Sequence, residues 1–231
     1  MQPWLLSWNY SCFQILFRAI PHQAASDRMA LLLVHYPALC TCLFGATFCF
    51  LWMKNDERRG ERRSYLCKAV LAFVFAVAIT VVVRPYISWP APARNPSFVA
   101  LFPRYLWGMG TRNSFPSHST LAYFVVAAGF WPLRKDLGVV FSLATLMFVS
   151  LPRVYLGGHY PIDVFCSLVL GSLSLAAVWK WKSLDVLSQR LSAQAQGTRI
   201  RKLLFCLWIV ELADGFRGTE FLVGAVRHLL L

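Results

Sequence analysis

The sequence predicts an all-α, polytopic membrane helix bundle of about five to six transmembrane helices plus an N-terminal interfacial helix. Three observations predict it. The 231-residue chain is 58% hydrophobic with a mean hydropathy of +0.53, where a soluble domain is closer to half apolar. Its apolar residues form uninterrupted runs, and a spanning helix needs roughly 20 mostly apolar residues. Its basic residues gather in short segments that alternate with those runs.

The runs come in order. Met29 to Met53 contains no Lys, Arg, Asp or Glu, and neither does Ala69 to Val83. Leu121 to Leu133 and Leu137 to Pro152 are shorter and need their polar flanks drawn into the protein. Val164 to Trp179 is the next full run. Ahead of them, Trp4 to Ile20 is apolar and aromatic, with Arg18 its one charge. No A-x-A-like cleavage site follows, so this segment is expected to be retained. Pro21 ends it and Asp27 precedes the first run. It reads as a helix at the outer interface with Trp4, Trp8 and Tyr10 as headgroup anchors; an extra span is the alternative. Leu203 to Leu231 is apolar but broken by Glu211, Asp214, Arg217, Glu220 and Arg227. It is either a sixth span with internal ion pairs or a helix–turn–helix on the cytoplasmic surface.

Basic residues outnumber acidic ones 23 to 10. Their positions argue for a membrane, not a nucleic acid, as partner. The segment KNDERRGERR, the pair Arg134 and Lys135, and the series Lys180, Lys182, Arg190, Arg199, Arg201 and Lys202 all fall on one side of the spans. The positive-inside rule makes that side cytoplasmic. The connections Arg84 to Ser117 and Arg153 to His159 then lie outside, on the periplasmic or extracellular side of a bacterial inner membrane. The seven cysteines are scattered singly with no CxxC pattern, which predicts packed or lipid-facing thiols.

The outer connections carry the chemistry. Arg84 stands at the end of the second span, where Pro85 stops the helix. The loop from Pro85 to Pro116 holds Arg94, Arg104 and Arg112 and no acidic residue. Such charge either meets an anion or snorkels into anionic headgroups. The loop closes with NSFPSHST, and Pro116 suits a first helical turn. That leaves the N–H groups of Ser117, His118 and Ser119 for an anion, a role compatible with Ser117 as helix cap. The segment PRVYLGGHYPIDV places Arg153 at a helix end, Gly157-Gly158 in a tight turn and Pro161 at the next helix start. His159 and Asp163, four apart, share a face there. An imidazole can attack phosphorus, a carboxylate can orient it, and a guanidinium can fork onto phosphate oxygens.

These three segments, in this order, resemble the type 2 phosphatidic acid phosphatase family. Its pattern is a Lys, six residues and Arg-Pro; then Pro-Ser-x-His; then Ser-Arg, five residues, His, three residues and Asp. Arg84-Pro85, Pro116-Ser117, and Arg153, His159 and Asp163 match. FPSHSTL and GGHYPIDV most resemble the bacterial undecaprenyl pyrophosphate phosphatases of the bacitracin-resistance type. Three positions depart. The first-motif Lys falls at Val77, and Lys68 lies roughly 13 Å further down the helix axis. Pro152 stands where the family has Ser. His118 follows Ser117 directly, so either His118 (after a one-residue deletion) or Ser119 takes the family His position. The deletion is favoured, because His118-Ser119-Thr120-Leu121 then agrees with the usual His-Thr-Thr-Leu.

The resemblance implies a single membrane-embedded phosphatase domain over residues 1–231, with its catalytic core at about 66–181. It implies catalytic His159, His118 and Asp163, and substrate binding by Arg84, Ser117 and Arg153; Ser119, the other candidate for the His position, and Arg112, which with Arg94 and Arg104 is a candidate to replace the missing Lys charge, complete the expected binding set. The expected substrate is a polyprenyl or glycerolipid phosphate, undecaprenyl pyrophosphate foremost, with no metal and no cofactor. A phosphotransferase of the same fold and a non-catalytic lipid-binding protein are the alternatives.

Overall fold

The computed structural model describes residues 3–19, 22–35, 38–83, 86–87, 89–107, 110 and 113–194. Arg84, Pro85, Arg112 and the C-terminal stretch with its two readings lie outside the described residues. The helices are α1 Pro3–Ala19, α2 Ala24–His35, α3 Ala38–Met53, α4 Arg59–Val83, α5 His118–Gly129, α6 Lys135–Ala144, α7 Leu151–Tyr155, α8 Pro161–Lys180 and α9 Lys182–Gln194. A π-helical stretch, Thr145–Ser150, joins α6 to α7 in one rod. Among the described residues there is no β-strand, and the architecture is an all-α membrane bundle.

Among the described residues three helices are long and apolar enough to cross a bilayer: α4 with 25 residues, the rod Lys135–Tyr155 with 21 and α8 with 20. The helices α2 and α3 pass together as a fourth span, inclined to one another by 45°. The expectation of one continuous helix over Met29 to Met53 is corrected accordingly. Pro37 stands between the two in the sequence, outside the described residues. The run Leu121 to Leu133 also yields less helix than expected. α5 ends at Gly129 after 12 residues, about 18 Å against a hydrocarbon layer of about 30 Å. Among the described residues, three or four spans thus meet the length criterion, against the five to six expected.

The bundle is sorted for lipid rather than water. On α8, Phe165 and Leu173 are 59% and 63% exposed, while Ser167 and Ser174 on the other side are 0% and 1% exposed. A soluble helix turns its hydroxyls outward and its apolar stripe inward; this one does the reverse, which is stable only where the outside is apolar. Small residues let the helices approach. Ala72 and Ala76 of α4 are buried against Leu121 and Val125 of α5 and Leu175 of α8. A Cβ added at Gly129 would come within 2.4 Å of the Ala69 Cβ, so α5 and α4 meet there almost backbone to backbone.

The two ends of the bundle differ. One carries the turn 54–58 and the turn 131–134: Lys54, Arg58 and Arg62 line a single cavity with Arg134. At this end Lys68 forms an ion pair with Asp185 of α9. The opposite end carries the loop 86–117 and the turn 156–160, covered by α1. Phe13 of α1 is fully buried there, with ring centroids 5.9 Å from Phe98, Phe102 and Tyr160. Trp8 and Tyr10 remain exposed on the same helix, as anchors would, and the Trp4 side chain lies outside the described residues.

Candidate active site

The turn after α7 is built by its glycines. Gly157 has φ +73°, a left-handed conformation that costs any residue with a Cβ. A Cβ there would also sit 2.6 Å from the Phe102 ring and 2.9 Å from the Ala93 Cβ. The turn closes because the Arg153 carbonyl accepts the N–H groups of Gly158, at 2.8 Å, and His159, at 3.3 Å. The Gly157 carbonyl accepts the N–H of Ala93 at 3.0 Å and ties the loop to the turn. Pro161 then opens α8 with Tyr160 as its N-cap residue.

Asp163 is buried completely and works first as a cap. One carboxylate oxygen accepts the Tyr160 N–H at 2.9 Å; the other accepts the indole N–H of Trp89 at 3.1 Å. His159 stands 3.7 Å from the capping oxygen, beyond a hydrogen bond but within ion-pair reach. Its Nδ1 instead lies 2.9 Å from the carbonyl oxygen of Ser114. A carbonyl only accepts, so Nδ1 carries a proton, and in the neutral imidazole Nε2 is then the nitrogen with the free lone pair. The sequence assigned that contact to Asp163; the structure gives the hydrogen bond to the Ser114 carbonyl and places Asp163 at 3.7 Å. Burial pushes the neighbouring Tyr160 phenol up to about 12, and Asn95 donates to its oxygen at 2.8 Å.

The second segment meets the third through one hydroxyl. Ser167 Oγ lies 3.1 Å from the Ser117 carbonyl oxygen and 2.7 Å from that of Asp163, joining the N-terminal ends of α5 and α8. Ser117 occupies the N-cap position of α5, so Pro116 falls just before the helix instead of within its first turn. The Ser117 hydroxyl makes no cap bond to the backbone. It pairs with Thr120 Oγ1 at 2.9 Å, and Thr120 pairs with Ser150 of the π-helical stretch at 2.9 Å. His118 is exposed and Ser119 half-buried, both in the first turn of α5. Arg153 is buried and directs one N–H to the Val149 carbonyl at 2.7 Å. Arg94 is exposed and donates to the Gly110 carbonyl at 3.0 Å; Arg104 is exposed too.

The structure therefore brings His159, Asp163 and Ser117 to one place and adds Trp89, Ser114, Ser167, Thr120 and Ser150. Arg84 and Arg112 lie outside the described residues. Lys68 belongs to the other end of the bundle, as its distance along the helix requires. Among the described residues, no group of three His, Cys, Asp or Glu side chains is placed to hold a metal ion.

Fold and site together define an all-α integral membrane protein in which His159, Asp163 and Ser117 meet at one end of the bundle. The chain belongs to the PAP2 superfamily, whose model matches residues 65–186, just over half of it. It is also 35% identical over 81 residues to the bacitracin transport permease protein BcrC of Bacillus licheniformis, a match spanning 35% of this chain and 39% of that one. No solved structure matches it.

Proposed function

We propose that the protein is a lipid-phosphate phosphatase that hydrolyses undecaprenyl pyrophosphate to undecaprenyl phosphate through a phosphohistidine. One observation carries the reading: His159 Nδ1 is held at 2.9 Å by the Ser114 carbonyl, leaving Nε2 as a nucleophile. Family membership and the partial likeness to BcrC support the substrate class.

The lipid diphosphate enters sideways with its headgroup at the loop end of the bundle. Nε2 of His159 attacks the terminal phosphorus; an N–P bond forms and the bridging P–O bond breaks. His118 gives its proton to the departing lipid phosphate. The imidazolium that results is favoured by the Asp163 carboxylate at 3.7 Å. Arg84, Arg112, Arg153, Ser117 and Ser119, with the first N–H groups of α5, hold the phosphoryl oxygens. Water then gives a proton to the now neutral His118 and attacks phosphorus; the N–P bond breaks, His159 is regenerated and inorganic phosphate leaves, with no metal or cofactor called upon. The catalytic core is residues 66–181 within a single domain. The protein sits in the bacterial cytoplasmic membrane with this site outside, a placement supported by the basic turns at the opposite end.

The test is phosphate release by purified protein from undecaprenyl pyrophosphate, phosphatidate and phosphatidylglycerol phosphate, with and without chelator. Turnover of the diphosphate that is fastest and insensitive to chelator is expected. No release from any of the three overturns the reading.

A further inference from the structure

A second polar cluster lies outside the site just described, and Asp27 is its centre. Asp27 sits in the first turn of α2 and is 2% exposed. Its carboxylate accepts three side-chain donors from three stretches of chain. The Tyr155 hydroxyl donates at 2.6 Å from α7, His22 Nδ1 lies at 2.7 Å, and Tyr105 donates from the outer loop. Around it, Ser26 Oγ is 3.0 Å from the Tyr155 oxygen, and the His22 ring lies against the Tyr155 ring at 4.4 Å.

What the cluster holds is the helix that carries the catalytic turn. Tyr155 is two residues beyond Arg153, whose carbonyl receives the N–H groups of Gly158 and His159. Tyr105 belongs to the loop that also supplies Trp89 and Ser114 to the site. A buried carboxylate is retained where its bonds fix an arrangement, since desolvation opposes it. We propose that Asp27 is a positioning residue for the reaction: by binding Tyr155 and Tyr105 together, it sets the distance between the Arg153–His159 turn and the Ser114 carbonyl. This rests on the reading of His159 as the nucleophile. Asp27 does not touch the substrate. Misplacement of a reacting group by about an ångström costs rate on the order of 10²-fold, so a latch of this kind acts on kcat.

The experiment compares Asp27→Asn, Tyr155→Phe and the double variant with wild type and with His159→Ala. Purified protein is assayed on undecaprenyl pyrophosphate and phosphatidate, well below the lowest melting midpoint. Each single variant is expected to lower kcat about tenfold or more while KM stays within about twofold. The double variant should fall little below the worse single, because Asp27→Asn takes the charge and one acceptor oxygen from the same carboxylate latch that Tyr155→Phe unfastens. A merely structural cluster would lower the melting midpoint and leave kcat of the folded protein unchanged. That outcome, or additive losses in the double variant, overturns the proposal. Where Asp27→Asn fails to fold, Tyr155→Phe, which removes one oxygen, decides alone. Activity in His159→Ala would instead strike the nucleophile assignment itself.

Discussion

The Nδ1 atom of His159 lies 2.9 Å from the Ser114 carbonyl and 3.7 Å from Asp163, so backbone and carboxylate divide the work of preparing one imidazole. In the proposed mechanism the carbonyl fixes the tautomer and the carboxylate supplies charge. Asp163→Asn should therefore lose less than the roughly 10⁴-fold seen where the carboxylate alone sets the tautomer; a loss on the order of 10² is expected. Stability should also fall, by about 1–3 kcal/mol. An amide has one acceptor, and both Tyr160 N–H and Trp89 Nε1–H need one. Steady-state kinetics and thermal melts of the same preparation check both parts.

The Gly157 turn gives a prediction about backbone. Gly157→Ala must hold a Cβ at φ +73° and within 2.6 Å of the Phe102 ring. A loss of roughly 1–3 kcal/mol is expected, with activity falling in parallel. Gly60→Ala is the contrast, because nothing lies within 4 Å of its added Cβ in α4. It should be neutral or stabilising by up to about 1 kcal/mol. Melting midpoints of the two variants give the comparison directly.

Much of this site was legible in the sequence, and the reason is chemical. His159, Asp163, Arg153 and the Gly-Gly turn are residue types with few other uses at a membrane boundary, and Pro161 marks the helix start. Trp89 and Ser114 were not legible. Trp89 reaches Asp163 across 74 positions, and Ser114 acts through its carbonyl, a group every residue has. The Ser117–Thr120–Ser150 hydroxyl chain was hidden likewise, inside and beside apolar runs that read as plain span. Hydropathy located α8 and the end of α4 well, but α4 begins at Arg59, ten residues before its apolar run. It overextended α5 and merged α2 with α3, because a run of apolar residues records solvent and says nothing of where a helix ends.

The proposed sidedness, with the basic turns on the cytoplasmic face, can be tested at two positions. Ser97 and Asn55 are both exposed, Ser97 at the loop end of the bundle and Asn55 in the basic turn. Cysteine introduced at Ser97, in a background lacking the native cysteines, should react in intact cells with a membrane-impermeant thiol reagent. Cysteine introduced at Asn55 should not. The opposite pattern would put the site in the cytoplasm.

The acid assignment separates two neighbours in the first turn of α5. His118→Ala should cost on the order of 10²–10⁴ in rate with a lipid phosphate leaving group, and less with an activated aryl phosphate. Ser119→Ala should cost about one hydrogen bond, roughly 1 kcal/mol. A reversed ranking would assign the family position to Ser119, and an equal loss of His118→Ala on both substrates would make His118 a binding group.

The central claim is that phosphate passes through His159, and a rapid-quench measurement on labelled undecaprenyl pyrophosphate tests it most directly. During turnover the protein should carry acid-labile, alkali-stable phosphate on the peptide containing residue 159, and His159→Ala should show neither label nor turnover. Phosphate release by His159→Ala at the wild-type rate, or wild-type turnover with no phosphoenzyme formed at the rate of the chemical step, would contradict it.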